Sequence, residues 1–221
     1  MTTLLDTATL LLFGLPDQQP GGLLLTVLLF LATGGAAVLL GLLYATAATA
    51  LPLTALPLQA ASAVLRGVPP LLLVFVLAHL VSASMLLAGM LALALYSFSH
   101  TGEILRSFVA AYPPTLAAQA RIMGVSPWRE WLTLRLPWAL WRGLPALLTH
   151  WASLLKDTGA LVVIGIGELT TVAKLLSEAR ADWSAWVMVL GLAAAFYLAT
   201  TLLVLKLLPA ALRALLCVPR G

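Results

Sequence analysis

Apolar residues run almost without interruption along this chain, and the polar positions fall in blocks. No charged residue occurs between Asp17 and Arg66. Within that stretch, residues 21–44 predict a first membrane-spanning helix, about 36 Å long at about 1.5 Å per residue. One face of it carries Thr33, Ala37, Gly41, Ala45 and Thr49 at four-residue spacing. Small residues in register let a neighbouring helix approach closely. A composition rich in Ala and Gly produces the same stripe without packing, so both readings stand. Pro52 and Pro57 interrupt the run. A helix restarts near Leu58 and reaches Arg66. A second span follows over about residues 68–81, opened by Pro69 and Pro70, where a missing N–H does least harm. It is short unless the segment before Arg66 also enters the bilayer. A third span covers about residues 84–98 and extends as helix through Arg106. A fourth apolar segment, 144–166, contains Lys156 and Asp157. A polar stretch, 168–182, precedes a fifth span over about 183–205 and a tail with Lys206, Arg213 and Arg220. The pattern predicts an all-α, polytopic transmembrane bundle of about five spans.

The middle of the chain differs in character. Arg106, Arg121, Arg129, Arg135 and Arg142 face only Glu103 and Glu130, and Pro113, Pro114, Pro127 and Pro137 punctuate the segment. This is a water-facing connector, about residues 107–140. The expected organisation is an extracytoplasmic segment 1–20, one membrane domain 21–210 and a cytoplasmic tail 211–221. Lys/Arg bias sets orientation. It places the connector and tail in the cytoplasm and the N-terminus, which has no Lys or Arg before Arg66, outside.

Composition narrows the classes. The chain has 221 residues, 62% hydrophobic and 9% charged, with a mean hydropathy of +1.06. Soluble domains carry roughly 25% charged residues, so a soluble globule and a nucleic-acid binder are excluded despite the net charge of +4. The single cysteine, Cys217, gives no disulfide framework and no Cys cluster. His79, His100 and His150 have no metal-ligand spacing, so no metal is expected. None of Lys156, Lys174 and Lys206 follows a glycine, so the chain lacks a phosphate-cradling Gly-Lys-Ser/Thr loop. No cofactor is expected in this chain. An intramembrane hydrolase finds weak support. Gly165-Ile166-Gly167-Glu168 has Glu where an aspartyl protease needs Asp, and a second carboxylate to share the proton is missing. Ser97, Ser99 and Ser153 lie near His100 and His150 in sequence, without a glycine-flanked serine motif.

The connector carries the most information. Residues 114–128 read as a short Ala-rich helix, a stop at Gly124, a cap at Ser126 and a restart at Pro127, and Leu134-Arg135-Leu136-Pro137 lead back to the bilayer. Such a knob suits a cleft in a partner. The segment resembles the EAA loop of ABC importer permeases: Glu-Ala-Ala, three residues, Gly, nine residues, an aliphatic residue, one residue, Leu-Pro. Gly124, Leu134, Leu136 and Pro137 fall on that spacing. Arg66-Gly67-Val68-Pro69, Gly102-Glu103-Ile104-Leu105-Arg106, Leu155-Lys156-Asp157-Thr158, Val163-Ile164-Gly165 and Glu168-Leu169 resemble further motifs of the polar amino-acid (histidine/glutamine/arginine-type) permeases, in order, over residues 20–210. One departure is clear: Ala118-Gln119-Ala120 stands where the family has Glu-Ala-Ala.

The resemblance implies a permease subunit of an ATP-binding-cassette importer, working by alternating access in a bacterial inner membrane. Its implied partners are an ATPase dimer that binds ATP and Mg, a second permease subunit (a homo- or heterodimer), an extracytoplasmic solute-binding protein and the lipid bilayer. A stand-alone secondary carrier is the alternative. Ala118, Gln119, Ala120, Gly124, Val125, Ser126, Pro127 and Trp128 would form the ATPase-coupling loop. Lys156, Asp157 and Glu168 would line the translocation path or its gate, since ionisable groups at membrane depth default to function. A structural pairing of Lys156 with Glu103 or Glu168 is the competing reading. Arg66, Gly67, Pro69, Glu103, Arg106, Leu136 and Pro137 would be structural.

Overall fold

A computed structural model describes residues 4–17, 19–50, 52–81, 84–179 and 182–215; Arg180, Cys217 and Arg220 lie outside them. The described residues form helices joined by short turns. In chain order these are α1 (Leu4–Phe13), α2 (Gly22–Ala50), α3 (Pro52–Gly67), α4 (Pro70–Leu80), α5 (Met85–Ala110), α6 (Pro114–Ile122), α7 (Pro127–Glu130), α8 (Leu136–Asp157), α9 (Leu169–Glu178) and α10 (Trp183–Leu215). A π-helical turn, Trp131–Arg135, leads into α8, and a 3-10 segment, Thr158–Ile164, follows it.

Among the described residues, three helices are long and apolar enough to cross a bilayer: Gly22–Thr49, Met85–Ala110 and Trp183–Ala211. The pair Ala55–Gly67 and Pro70–Leu80 makes a fourth if it counts as one span, although it bends by 103°. Pro69 and Pro70 explain the break. Pro70 lacks the N–H that would continue α3, and its ring drives the preceding residue out of helical geometry, at φ −58° and ψ 139°. The segment before Arg66 is helical, and α3 starts at Pro52, earlier than the expected restart near Leu58, with Pro57 inside it. The predicted fourth span differs. It is an amphipathic helix, α8, that carries Arg142, His150, Lys156 and Asp157 and ends in a tighter coil. Its polar content keeps it out of the count by apolar length. It lies against α5, with Leu147, Leu154 and Leu155 fully buried, so protein side chains satisfy much of its surface.

The core is the packing of α2 on α5. The small-residue stripe of α2 makes this contact: Thr33, Ala37 and Ala45 are buried. A Cβ on Gly102 would lie 2.8 Å from the Tyr44 ring and 3.3 Å from the Gly41 Cα. The close approach thus requires glycine at 102. Of the two readings of the stripe, packing is the one realised.

Candidate functional site

Three polar constructions stand in this apolar frame. The first ties α2, α3 and α5 together. Glu103 receives Arg106 on both carboxylate oxygens, with Nε at 2.9 Å, and the Tyr44 hydroxyl donates to Oε2 at 2.9 Å. Arg66 Nη1 lies 3.8 Å from the same oxygen, donates to Ser62 Oγ at 2.7 Å and reaches the Ser99 carbonyl at 3.2 Å. Every charge here has a partner. Gly67 and Pro69 lie at the nearby α3–α4 bend.

The second construction sits between α5 and α8, and the sequence reading missed it. His100 and His150 stack with centroids 4.9 Å apart and planes 8° apart. Ser97 Oγ lies 3.0 Å from His150 Nε2, and the Tyr96 ring packs 4.6 Å from His100. Asp157, about two turns beyond His150 on α8, is within electrostatic reach of His100 and Tyr96. Its Oδ2 is buried and has no hydrogen-bond partner. Lys156 is exposed, and among the described residues it pairs with neither Glu103 nor Glu168. The Ser–His contact lacks any strand-to-helix elbow or third orienting carboxylate hydrogen-bonded to the imidazole, so the arrangement does not assemble a nucleophile.

Glu168 belongs to a different construction from Asp157. It is wholly buried and caps α9: Oε1 accepts from Thr171 N at 2.8 Å and Thr171 Oγ1 at 3.1 Å, and Oε2 accepts from Thr170 N at 2.9 Å and Tyr197 OH at 3.0 Å. The neighbouring Gly167 carbonyl accepts from Gly22 N at 2.8 Å. In this structure Glu168, expected along the path, is a helix cap that joins α9, α10 and the start of α2.

The third construction is the knob formed by α6 and α7. Val125 N donates to the Ala120 carbonyl at 3.0 Å, and Gly124 takes φ +72° with open space around it. Glycine is needed there for conformation alone. Ser126 Oγ accepts from Arg129 N at 3.4 Å, and Pro127 opens α7. Ala117 and Ala120 are buried and seat the knob, while Ala118, Gln119 and Trp128 face outward. Ile122 and Met123 are 86% and 72% exposed at its tip. The sequence reading did not name these two, although two apolar residues beside a glycine stop in an otherwise polar connector were the available signal. Leu136 and Pro137 start α8 as the re-entry motif implied.

Among the described residues no group of three or more His, Cys, Asp or Glu could hold a metal.

Known proteins give this geometry a context. Over 116 residues the chain is 33% identical to the arginine ABC transporter permease protein ArtQ of Haemophilus influenzae, covering 52% of this chain and 51% of that one. It is 26% identical over 130 residues to the nopaline transport system permease protein NocQ of Agrobacterium fabrum, covering 51% and 55%. It is 32% identical over 112 residues to the probable glutamine ABC transporter permease protein GlnP of Bacillus subtilis, covering 51% of each. The chain thus spans about half the length of the curated relatives it matches. A crystal structure of an amino acid ABC transporter with histidines superposes with a TM-score of 0.73 at 26% identity, covering 87% of this chain and 92% of that one. Residues 37–215, which hold the polar knot, the His–Asp cluster and the knob, match one family throughout, and the chain belongs to it: the binding-protein-dependent transport system inner membrane components.

Proposed function

We propose that this chain is the permease subunit of an ATP-binding-cassette importer for a polar amino acid, with ATP hydrolysed by a separate subunit. The observation that carries the reading is the knob. It is a rigid helix–turn–helix, seated on buried alanines, that presents Leu116, Ile122, Met123 and Trp128 outside the apolar spans. Exposed apolar surface rimmed by polar residues marks a protein contact. The relatives named as permeases and the matched transporter structure support an ATPase as what it meets.

In this reading two permease subunits, an ATPase dimer and an extracytoplasmic binding protein assemble. The connector and the Lys206 end lie in the cytoplasm and the N-terminus lies outside, following the Lys/Arg bias. Closure of the ATPase dimer draws the two knobs together and tilts the helices from inward- to outward-facing, a rigid lever acting on a bistable bundle. Residues 118–120 and 124–128 make the foot of that lever. Ala118 stands where an acidic residue is usual, and the second permease subunit keeps the acidic form.

Asp157 and Lys156 serve the path. A zwitterionic solute needs both signs of charge, and Asp157 Oδ2 is a buried acceptor with no internal donor, the condition in which a ligand ammonium is worth most. His100, His150 and Tyr96 supply polar surface beside it.

Co-purification tests the proposal. The intact chain brings down an ATPase whose turnover rises with substrate-loaded binding protein. Gly124→Val, which cannot hold φ +72° without strain of about 1–2 kcal/mol, loses most of that ATPase while remaining in the membrane. A chain that transports alone, with no ATPase partner, overturns the reading in favour of a secondary carrier.

A further inference from the structure

Beside the knob, two cavities join into one groove with a polar end and an apolar end. The polar cavity, of about 440 Å³, is lined by Thr46 and Thr49 of α2, Arg121 of α6, Glu130 of α7, and Trp131 and Arg135 of the π turn. The apolar cavity, of about 540 Å³, is lined by Leu42, Leu43 and Ala47 of α2 and by Leu136. Thr46, Trp128 and Trp131 line both. Moving from Leu42 and Leu43 to Thr46 and Thr49 along α2 covers roughly 5–10 Å at about 1.5 Å per residue. The headgroup layer of one leaflet is about 5–8 Å thick. The groove therefore changes from apolar to polar over the distance at which a phospholipid changes from acyl chain to phosphate.

The charges select the headgroup. Arg135 is already paired with Glu130 at 2.9 Å and lies over the Tyr112 ring at 5.2 Å. Arg121 has no ion pair among the described residues, so the polar end carries one uncompensated positive charge. The Trp131 Nε1–H is buried without a hydrogen-bond partner, a donor that the fold leaves unspent in the wall of the groove. The hydroxyls of Thr46 and Thr49 donate to their own helix at 2.7 Å each and so offer no further donor to an anion. Leu43, at 67% exposed, opens the apolar end to the lipid side of α2.

We propose that this groove is a binding site for one anionic phospholipid of the inner leaflet, its phosphate at Arg121 and Trp131 and an acyl chain along Leu42, Leu43 and Leu136. The leaflet rests on the orientation given under the proposed function. The site would stiffen the junction between knob and α2, the joint through which any push on the knob reaches the span.

The test uses the assembled permease–ATPase complex in phosphatidylcholine vesicles that contain a minor share of brominated lipid. Bromines on the acyl chains quench nearby indoles, and a Trp128→Phe, Trp131→Phe double variant supplies the background from the other tryptophans. Brominated phosphatidylglycerol is expected to quench the Trp128–Trp131 component in preference to equally brominated phosphatidylcholine, by roughly fivefold in apparent affinity for one arginine near the surface. Arg121→Ala should bring that preference close to one, and added inorganic phosphate should leave it unchanged in the wild type. Equal quenching by the two lipids, or a preference that survives Arg121→Ala, overturns the proposal. Relief by inorganic phosphate reassigns the polar end to a soluble anion. Absence of any quenching above background means that a protein subunit covers the groove. Substrate-stimulated ATPase in the same vesicles reports on the transport reading separately, so the two can fail independently.

Discussion

Glu103 and Asp157 are both carboxylates on helices that pack against each other, yet their surroundings are opposite. Glu103 holds two arginines and a tyrosine hydroxyl and joins three helices. Asp157 has a buried oxygen with no donor at all and a stacked pair of histidines close by. A satisfied polar cluster rigidifies a fold, whereas an unsatisfied buried group costs stability and persists where something else pairs with it. On the proposed function the contrast separates scaffold from path in a chain whose composition alone makes all charged residues look equally exceptional. Glu168 falls on the scaffold side, with four donors to two oxygens.

The comparison can be broken in order of expected effect on stability. Glu103→Ala leaves Arg66 and Arg106 without their counter-charge, and should lower stability by about 3 kcal/mol. Thermal unfolding in detergent checks this, and unchanged melting would remove the claim that the cluster is a strut. Glu168→Ala strips the cap from α9 and leaves the Tyr197 hydroxyl with one partner fewer, for a loss of about 2 kcal/mol. The ratio of transport rates between competing amino acids should not change in that variant. A changed ratio would return Glu168 to the path.

Asp157→Asn should behave in the reverse way. The amide keeps the shape and loses the charge, so melting should move by less than about 0.5 kcal/mol. Uptake should fall about tenfold or more, since each 1.4 kcal/mol of lost interaction with the moving solute is a factor of ten. Normal uptake in a well-folded Asp157→Asn chain would end the scaffold–path distinction. The smallest effect is at Asp182, an exposed carboxylate at the start of α10. The Ser184 hydroxyl and the first N–H groups of the helix hold it below the usual carboxylate range. Its contribution is fully present above the unfolded value and is lost as pH falls through the lower folded value, below about pH 4. Asp182→Asn should make the acid-side fall in melting temperature slightly shallower.

Much of this arrangement was legible along the chain. The spans over α2, α5 and α10 follow from apolar length, and the knob follows from Gly124, Ser126 and Pro127, whose effects act within one turn. The ion pair of Glu103 with Arg106 was legible because the two sit at i,i+3 on one helix. The histidine pair was not legible. His100 and His150 are fifty residues apart with no metal-type spacing, and only the packing of α5 on α8 brings them together. The capping role of Glu168 was not legible for a similar reason. Its helix partners are local, but its burial depends on Tyr197 and on the contact between Gly22 and Gly167.

The sequence by itself determined the solvent this protein lives in, which stretches are helical and where the chain must turn, because transfer energies, proline and glycine act on residues within a few positions of one another. Tertiary structure alone decided which ionisable groups are satisfied, how sharply α3 and α4 bend at Pro69 and Pro70, and which face of α2 meets Gly102. Those outcomes depend on donors and surfaces dozens of residues away, and no local rule carries a distance of that kind.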